Sequence, residues 1–486
     1  MTDAVIEFPV QDLRHRAGDA AQKLNTLLAT QRTAYLDQGP LTVTRRLDAL
    51  HKLSRSLLKY QEALVDAVRQ DFGHRSPHET KLADIYPVLA GIRHTRRHFR
   101  SWMKPRRRAV DMIFWPGRNR VLYQPLGVVG IISPWNYPVQ LTLAPLTAAI
   151  AAGNRVLVKP SEYTPRTGAL IQRLLAEVFD ATEVAVVEGG ADVAQAFCRL
   201  KLDHLLFTGS TPVGRQVMRA AAENLVPVTL ELGGKSPAIV APDYPIEAAA
   251  ETIAAGKLFN AGQTCIAPDY VMVPRDREAA FRTAYAAAVA RMYPRLATNP
   301  DYTAIVNDRH YRRLTELVED ARRRGAQVTA INPAGEVLDP AQRKLAPTLL
   351  SSVPDAAAVM QEEIFGPVLP VIPYAGLEDA HAYVNDRPRP LALYLFSHDT
   401  AVVERTLART LSGGVTVNDT LLHCVQEDLP FGGVGESGIG AYHGEAGFRT
   451  FSHARGVFAQ ARLNGGFLTR PPYGPRVDRL LRFLLR

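Results

Sequence analysis

The N-terminal fifth of the chain has apolar residues at helical spacing. Between residues 11 and 103 leucine and alanine recur every three or four positions among arginine and glutamine, which is typical of amphipathic helices. The clearest stripe consists of Leu47, Leu50, Leu53, Leu57 and Leu58. We therefore predict that this region forms packing helices and that the five leucines face a common core.

From Leu126 onward the pattern changes to short, continuous apolar runs. Val128 to Ile132 and Val156 to Val158 are each too short for a helix, and Thr142 to Ala152 between them has helical length. A strand, a helix and a strand in this order predict a parallel sheet. The polar segments 133–136 and 159–162 follow the two strands, at the sheet edge where open parallel sheets bind ligands.

A third unit of this kind begins with the apolar run Leu205 to Phe207. It continues through Gly209 and Ser210 into a helix that we predict to start near Val213. A glycine-bearing turn before a helix exposes backbone N–H groups that bind phosphate, and the Ser210 hydroxyl adds a donor. The plainer alternative is that the glycine and serine serve only the geometry of the turn.

The rest of the chain predicts a second α/β unit and a helical tail. Strand-like and helix-like runs alternate from residue 232 to about residue 436, with Ala280 to Ala290 predicted as helix and Thr416 to Asn418 as strand. From Arg476 to Arg486, apolar residues share one face of a predicted helix and arginines line the others. This tail is too short to span a membrane, and we expect at most peripheral contact with one.

Composition excludes several classes of protein. The chain has 486 residues, a net charge of +9 and three widely spaced cysteines, a pattern that disfavours a disulfide framework or a metal site. Basic residues without an interleaved aromatic platform argue against nucleic-acid binding. The start of the chain lacks the layout of a secretory signal, so we expect a cytoplasmic protein.

The candidate nucleophile is Cys265, which lies in the stretch 259–268 among small and polar residues. Glycine and threonine beside the thiol leave room for a substrate and supply hydrogen-bond donors, whereas a structural cysteine usually lies in an apolar run. A buried structural cysteine is nonetheless the plainer interpretation of this stretch alone. We interpret Cys198 and Cys424 as structural.

Four motifs together resemble the aldehyde dehydrogenase superfamily. They are the stretches Ser-Pro-Trp-Asn at 133–136, Thr-Leu-Glu-Leu-Gly-Gly-Lys-Ser-Pro at 229–237, Phe-Asn-Ala-Gly-Gln-Thr-Cys-Ile-Ala-Pro at 259–268 and Glu-Glu-Ile-Phe-Gly-Pro at 362–367. The segments 430–435 and 440–444 are similar to the class 3 branch, which includes coniferyl aldehyde dehydrogenases. The resemblance extends from about Leu126 to His453.

This resemblance implies a fold and a division into domains. The fold is α/β, with a modified doubly wound parallel-sheet cofactor domain, a second α/β catalytic domain and a small bridging element for oligomerisation. The implied ranges are 1–103 and 128–231 for the dinucleotide-binding domain, with 437–450 returning to it, 104–127 and 451–470 for the bridging element, 232–436 for the catalytic domain, and 471–486 for a basic amphipathic tail.

The resemblance also implies the catalytic residues. Cys265 is the nucleophile that adds to an aldehyde, and Asn136 donates a hydrogen bond to the resulting oxyanion. Glu231 is the base that activates water for release of the acid, and Glu363 is the second candidate for that role. On local sequence alone, Asn136 would be a turn-capping residue and Glu231 a strand-end residue facing solvent.

The remaining implied site residues bind the cofactor and the substrate. The cofactor is NAD, with NADP as a second choice, and the expected binding residues are Trp135, Lys159, Ser161, Glu162, Gly209, Ser210, Gly214, Leu232, Gly233, Glu363 and Phe365. The expected substrate-binding residues are Leu421, Leu422, Phe431 and Tyr442, and no metal is expected. A homodimer is the default assembly, in which a hairpin within 104–124 makes subunit contacts.

The expected reaction is oxidation of an aldehyde to its acid with NAD(P)⁺, most simply of coniferyl aldehyde or another aromatic aldehyde. A medium-chain or long-chain aliphatic aldehyde is the alternative substrate. A CoA-acylating dehydrogenase is a rival reaction, although Glu231 argues against it because a water-activating base would hydrolyse the thioester. A catalytically silent binding or structural protein is the rival class, and the intact Cys265, Glu231 and Asn136 disfavour it.

Overall fold

The computed structural model describes residues 10–466 and 470–485, with side chains from residue 21 onward. The expectations for the first nine residues and for Arg486 lie outside the described residues. The helices are α1 (Val10–Gln38), α2 (Val43–Phe72), α3 (Pro77–Thr80), α4 (Tyr86–Trp102), α5 (Gln140–Ala152), α6 (Pro165–Ala176), α7 (Ala191–Cys198), α8 (Thr211–Ala222), α9 (Ile246–Leu258), α10 (Glu278–Met292), α11 (Asp308–Arg323), α12 (Ala358–Gln361), α13 (Leu377–Asn385), α14 (Thr400–Arg409), α15 (Gly444–Thr450) and α16 (Pro475–Leu484).

The strands form three separate sheets. They are β1 (Arg106–Arg108), β2 (Arg118–Pro125), β3 (Val128–Ile132), β4 (Arg155–Lys159), β5 (Val184–Val186), β6 (His204–Thr208), β7 (Val228–Glu231), β8 (Pro237–Val240), β9 (Tyr270–Pro274), β10 (Gln327–Ala330), β11 (Thr348–Ser351), β12 (Val368–Tyr374), β13 (Ala392–Phe396), β14 (Gly414–Val417), β15 (Gly438–Ile439) and β16 (Ser452–Ala459).

The six-stranded sheet has the order β15-β7-β6-β3-β4-β5. Its strands β3 to β7 run parallel, and β15 pairs antiparallel with β7 at the edge. The residues of β3, β4 and β6 are buried throughout, as expected for parallel strands covered by helices on both faces. The predicted strand–helix–strand unit is confirmed, although α5 begins at Gln140 and α8 begins at Thr211, two residues before each predicted start.

The seven-stranded sheet has the order β10-β11-β12-β9-β8-β13-β14, and only β10 runs antiparallel to its neighbour. Helices α9 and α10 pack against each other beside it. The predicted helix within residues 280–290 is confirmed as part of α10, and the predicted strand at 416–418 ends one residue earlier, at Val417. This part of the fold is the second α/β unit that the sequence predicts.

A three-stranded antiparallel sheet joins β1, β2 and β16. The first two strands form the hairpin expected within residues 104–124, and β16 adds a third strand from near the end of the chain. This arrangement lies within the two segments that the family resemblance assigns to a bridging element. The exact boundaries between domains stay a prediction.

The leucine stripe of α2 is only partly as predicted. Leu50, Leu53 and Leu57 are fully buried and Leu47 is half-buried, whereas Leu58 is 48% exposed. Successive residues of an α-helix point about 100° apart because a turn contains 3.6 residues. Leu57 and Leu58 therefore cannot share the buried face, and the prediction for Leu58 was wrong.

The C-terminal tail forms the predicted helix, α16, and no residue in its described part is buried. Leu481 and Leu484 are 46% and 40% exposed, so the apolar face of α16 is not covered by the rest of the chain. In the described ranges, no helix combines the length and apolar character needed to cross a membrane.

The contrast between Leu53 and Leu58 leads to a stability prediction. Leu53→Ala leaves a cavity in the core and is expected to lower the free energy of unfolding by about 2–5 kcal/mol. The matched change Leu58→Ala removes an exposed side chain and should alter it by less than about 0.5 kcal/mol. Urea denaturation of both variants measures the difference, and equal losses would contradict the assignment of the buried face.

Candidate active site

The loop that carries Cys265 is shaped by a turn between α9 and β9. Asn260 and Ala261 adopt left-handed conformations with φ of 54° and 52°. Asparagine tolerates this region because its short polar side chain can form local hydrogen bonds, whereas Ala261 adopts it only because surrounding contacts enforce it. At Gly262, with φ of 74°, a Cβ would lie 2.4 Å from the carbonyl oxygen of Gly366, so that position has room only for glycine.

Side-chain amides hold this turn in place. The Gln263 Nε2 donates to the carbonyl oxygens of Asn260 and Ala304, each at 3.0 Å, and its Oε1 accepts from the Val306 N–H at 2.9 Å. The Asn260 Nδ2 donates to the carbonyl oxygen of Gln263 at 3.1 Å. Because these groups are buried, each hydrogen bond also avoids the cost of an unsatisfied polar atom.

Asn136, which follows β3, lies directly beside the Cys265 loop. Its side-chain Nδ2 donates to the carbonyl oxygen of Gln263 at 3.2 Å, two residues before the thiol. Its own carbonyl oxygen accepts from Asn260 Nδ2 at 3.2 Å and from Arg75 Nη1 at 2.8 Å. The structure thus joins the end of β3 to the Cys265 loop, through one of the two hydrogens of the Asn136 amide.

Sequence reasoning missed a buried ionic cluster behind these two loops. Arg75 and Asp84 form an ion pair at 3.0 Å with both side chains fully buried, and Asp84 accepts from the N–H groups of Val139 and Gln140. Glu79 accepts from the Asn260 N–H at 3.1 Å and from the Thr303 hydroxyl at 2.7 Å. Burial raises the pKa of Glu79 to about 7.

Glu231 is the last residue of β7 and is only 2% exposed, so it does not face solvent. Neither of its carboxyl oxygens has a hydrogen-bond partner within the described part of the chain. Burial raises the pKa of Glu231 well above its usual value, because the charged form loses its hydration. An unpartnered buried carboxyl group is costly, and such groups mark functional sites.

Cys265 is half-buried and shares its surroundings with both candidate carboxyl groups. Burial is the largest effect that raises the pKa of its thiol, followed by the charges of Glu363, Cys424 and Glu231. The protonated thiol is therefore favoured until another group stabilises the thiolate. Cys424, which sequence reasoning treated as structural, lies close enough to influence the nucleophile.

The candidate cofactor residues lie along the carboxyl edge of the six-stranded sheet. Lys159 is buried, and its Nζ donates to Glu162 Oε2 at 3.0 Å. The Ser161 hydroxyl accepts from the Tyr163 N–H at 3.2 Å, whereas Ser210 precedes α8 and makes no capping hydrogen bond with its side chain. The first N–H groups of α8 and the Ser210 hydroxyl can therefore bind an anionic group.

Two glycines shape this edge. A Cβ at Gly214 would lie 2.6 Å from Leu232 Cδ2, and a Cβ at Gly233 would lie 2.2 Å from Glu363 Oε2. Gly209 lies at the same edge, where its N–H donates to the carbonyl oxygen of Glu231 at 3.0 Å. Because these glycines have no side chain, a bound ligand can approach the backbone closely at this edge of the sheet. Close approach of this kind is typical of dinucleotide-binding sites.

Glu363 and Phe365 lie on a turn whose carbonyl oxygens accept hydrogen bonds from Arg313 and Lys235. The carbonyl oxygen of Glu363 accepts from Arg313 at 3.2 Å, and that of Glu362 accepts from Lys235 Nζ at 3.1 Å. Burial, followed by the charge of Asp269, raises the pKa of Glu363 to about 8. Sequence reasoning did not identify Arg313 or Asp269 as members of the site.

Aromatic rings line the gap between the two sheets. The ring centroids of Trp135 and Phe365 are 5.4 Å apart at a steep angle, and His310 from α11 packs against Trp135 at 5.0 Å. Phe365 has a φ of 55°, a strained value for a bulky residue. Such a conformation persists only where the surrounding structure enforces it.

The candidate substrate residues divide into buried and exposed groups. Phe431 and Tyr442 are 7% and 1% exposed and pair through their backbones. Leu421 is half-buried, but Leu422 is 47% exposed. Leu422 therefore lies on the surface of the loop and is not part of an enclosed wall, because the short helical turn Leu422–Val425 directs it outward.

Histidines that the sequence did not single out as a pair flank Phe431. The rings of His423 and His443 lie nearly parallel to that of Phe431, at 6.1 Å and 5.2 Å between ring centroids. Burial lowers the pKa of each histidine to about 4, so both are neutral near pH 7. A neutral, aromatic-rich wall suits an apolar substrate better than a charged wall does.

Cys198 lies away from these residues, as a buried thiol at the end of α7.

The Cys265 thiol, the buried Glu231 carboxyl group and the Asn136 amide, from three of the sequence motifs, are thus brought close together by the fold. The model of the aldehyde dehydrogenase family matches residues 14–457. The chain belongs to the aldehyde dehydrogenase family and is an enzyme of that family.

Named proteins and solved structures agree with this assignment. The chain is 55% identical over 459 residues to a Pseudomonas aeruginosa protein named "Probable coniferyl aldehyde dehydrogenase", covering 94% of this chain and 95% of that protein. It superposes with a TM-score of 0.89 on a structure of Staphylococcus aureus AldH in a substrate-bound state, at 39% identity and with 94% and 99% of the two chains covered. A structure of PnpE in complex with nicotinamide adenine dinucleotide matches with a TM-score of 0.82 at 27% identity, with 91% of each chain covered. A nicotinamide cofactor therefore fits this fold.

Proposed function

We propose that this enzyme oxidises an aldehyde to its carboxylic acid through a thioester on Cys265. The observation that carries the proposal is the unpartnered Glu231 carboxyl group, buried within electrostatic reach of that thiol. A buried carboxyl group with no internal partner is placed to bind a reacting water molecule. Such a base favours hydrolysis over transfer of the acyl group to a second thiol.

Each step uses a residue of the site. The Cys265 thiolate adds to the carbonyl carbon, and the Asn136 amide donates to the oxygen on which negative charge develops. The nicotinamide cofactor, when bound, accepts the hydride. Glu231 then takes a proton from water, whose oxygen attacks the thioester and releases the acid. Glu363, held by a turn and facing Gly233, is suited to binding a ribose.

We propose an aromatic aldehyde, with coniferyl aldehyde first, as the substrate. The support is the name of the Pseudomonas aeruginosa relative and the aromatic wall of Phe431 with the neutral rings of His423 and His443. A planar ring stacks on such a wall and buries apolar area, at about 25 cal/mol per Å² removed from water. A medium-chain or long-chain aliphatic aldehyde would gain the burial but not the stacking, so it ranks second.

We propose NAD as the preferred cofactor and NADP as the second. Glu162 forms an ion pair with Lys159, and the family resemblance implies that both residues hold the adenine ribose. A carboxylate accepts hydrogen bonds from ribose hydroxyls and repels a 2′-phosphate. Lys159 offsets part of that repulsion, which makes the preference modest.

We also propose a cytoplasmic homodimer that makes peripheral membrane contact through α16. The hairpin β1–β2 is the segment that the family resemblance assigns to a subunit contact. Helix α16 presents exposed leucines beside Arg476, Arg479 and Arg482, the arrangement of a helix that lies on an anionic lipid surface.

Because Cys265 is the proposed nucleophile and Glu231 the proposed base, substitutions of the two residues should block different steps of the reaction. Cys265→Ala is expected to lose at least about 1,000-fold in kcat while it stays folded. Glu231→Gln should give one rapid turnover of reduced cofactor and then stall, because the thioester forms but is not hydrolysed. Stopped-flow absorbance of the reduced cofactor, in the presence of coniferyl aldehyde, measures both effects.

Cys424→Ala is the matched control and should keep most of the activity. The kcat of the wild type should rise with pH, because Glu231 acts as a base only when deprotonated and its pKa is raised. Steady turnover by Glu231→Gln at the wild-type rate would remove this residue from the mechanism.

Cofactor preference should respond to the charge at residue 162. Glu162→Gln is expected to raise the ratio of kcat/KM with NADP to that with NAD by about three- to tenfold, because it removes the repulsion of a phosphate. Glu177→Gln, an equal charge change next to α6, is the control and should leave the ratio unchanged. A wild-type kcat/KM clearly higher with NADP would contradict the proposal.

Substrate size should decide catalytic efficiency. We expect kcat/KM for coniferyl aldehyde, cinnamaldehyde and octanal to exceed that for acetaldehyde by at least about tenfold, because each buried CH₂ contributes about 0.8 kcal/mol. Phe431→Ala should reduce the ratio of kcat/KM for the aromatic aldehydes to that for acetaldehyde. Leu429→Ala, at an exposed position, should leave this ratio unchanged. An acetaldehyde efficiency equal to the others would exclude bulky substrates.

Membrane contact of α16 should depend on its arginines. The triple variant Arg476→Gln, Arg479→Gln and Arg482→Gln is expected to bind anionic vesicles at low salt about 100-fold more weakly, at about 1 kcal/mol per arginine. Vesicle sedimentation measures the loss. Co-sedimentation of the wild type that resists high salt and carbonate would contradict peripheral contact.

A further inference from the structure

Two of the three cysteines of this chain are brought to the same place by the fold. Cys265 lies on the loop between α9 and β9, and Cys424 lies on the short helical turn Leu422–Val425 that follows β14. Both side chains are half-buried and pack against the same hydrophobic core. Cys198, the third cysteine, is buried at the end of α7 and belongs to a different hydrophobic core.

The hydroxyl group of Tyr394 connects the two loops that carry these thiols. It donates a hydrogen bond to the carbonyl oxygen of Ile266, the residue after Cys265. It also accepts a hydrogen bond from the backbone N–H of Leu421. Two hydrogen bonds to one oxygen atom hold the two backbones within about 6 Å of each other at this point. The α-carbons of a disulfide are usually about 4.4–6.8 Å apart, so backbones this close are within reach of a disulfide.

The turn that carries Cys424 keeps this residue close to the contact between the loops. The Cys424 N–H donates to the carbonyl oxygen of Leu421 at 3.1 Å. Burial is the main cause that raises the pKa of the Cys265 thiol, followed by the charge of Glu363. The charge of Cys424 comes next, ahead of that of Glu231. The two sulfur atoms therefore share one buried environment beside the candidate nucleophile.

The turn of Cys424 is anchored on one side and exposed on the other. The ring of His423 is buried, and its Nδ1 lies 2.8 Å from the Thr416 hydroxyl. Leu422 and Val425, by contrast, are 47% and 44% exposed. Exposed loops with few buried contacts shift with little loss of free energy. A small shift of this turn can therefore bring the two sulfur atoms to bonding distance while the strands stay in place.

We propose that a hydroperoxide oxidises Cys265 and Cys424 to a reversible disulfide that inactivates the enzyme. The Cys265 thiolate attacks the peroxide, an S–O bond forms, the O–O bond breaks, and the second oxygen leaves as water or an alcohol after it takes up a proton. The Cys424 sulfur then attacks the resulting sulfenic acid. The S–S bond forms, the S–O bond breaks, and the hydroxyl group leaves as water with the proton of Cys424. Each sulfur loses one electron, and the peroxide gains two.

The disulfide protects the nucleophile from irreversible oxidation. A sulfenic acid that meets no second thiol is oxidised further to a sulfinic acid, which thiols do not reduce. A disulfide, in contrast, is opened again by exchange with a thiol. In a reducing compartment such a bond is transient and typical of redox-sensitive proteins. The first step rests on the proposed function only in the Cys265 thiolate, which aldehyde oxidation also requires.

The test uses the full-length protein, with hydrogen peroxide as the oxidant and dithiothreitol as the reductant. The titre of free thiols in denaturant should fall from three per chain to one, that of Cys198. Digestion with trypsin, without reductant, should give the peptides 258–275 and 410–449 as one linked species that dithiothreitol separates. Electrophoresis without reductant should show the mass of a single chain, because the bond lies within one chain.

Cys424→Ala and Cys198→Ala are matched variants, each of which removes one thiol. After peroxide treatment, dithiothreitol should restore the activity of the wild type and of Cys198→Ala. Cys424→Ala should recover at least about fivefold less activity, because its Cys265 is oxidised to the sulfinic acid. Peptide 258–275 of this variant should then carry two additional oxygen atoms.

Three outcomes would overturn the proposal. They are a thiol titre that stays at three, a linked peptide that contains Cys198 instead of Cys424, and equal recovery of activity by Cys424→Ala and the wild type. Failure of this proposal and failure of the proposed function are distinguishable. Normal turnover without the linked peptide would reject the disulfide alone. A linked peptide in the wild type, together with undiminished turnover by Cys265→Ala, would reject the proposed nucleophile alone.

Discussion

The carbonyl oxygen of Asn136 is the point on which the catalytic geometry depends. It accepts from Arg75 behind it and from Asn260 beside it, so a residue at the end of one sheet is tied to the nucleophile loop of the other. The left-handed turn at Asn260 would be unfavourable without these partners. Asn136 and the loop of Cys265 are thus held together by buried hydrogen bonds instead of by a shared element of secondary structure.

The same interaction explains why charged residues occur deep in the protein. Arg75 can donate to Asn136 only because Asp84 compensates its charge, and Asp84 in turn accepts from the start of α5. Removal of either partner would leave an uncompensated buried charge, which is more costly than the loss of the hydrogen bond itself. The buried ion pair is therefore better understood as a positioning device than as a source of stability.

Elements with a clear local pattern, and residues within complete motifs, could be predicted from the sequence. The parallel strands near Val128 and Val156 were predictable because buried strands are continuous apolar runs, and Cys265, Glu231 and Asn136 lie in complete family motifs. Arg75, Glu79 and Asp84 were not predictable, because ionisable residues in a helical segment normally face solvent. Leu58 was assigned to the wrong face because two adjacent leucines satisfy a loose helical pattern. The roles of the cofactor and substrate residues stay predictions.

The connection between the two large sheets has a consequence for how the enzyme loses function. Glu231 ends a strand of the six-stranded sheet, and Cys265 lies on a loop beside the seven-stranded sheet. The distance between the proposed base and the proposed nucleophile therefore depends on how the two sheets pack together. A slippage of one sheet against the other by about 1 Å would separate them without breaking any strand pairing. The rate of turnover is therefore expected to respond to a change in domain packing before any spectroscopic signal of folded structure does. Mildly denaturing conditions should abolish activity while the secondary structure is still native.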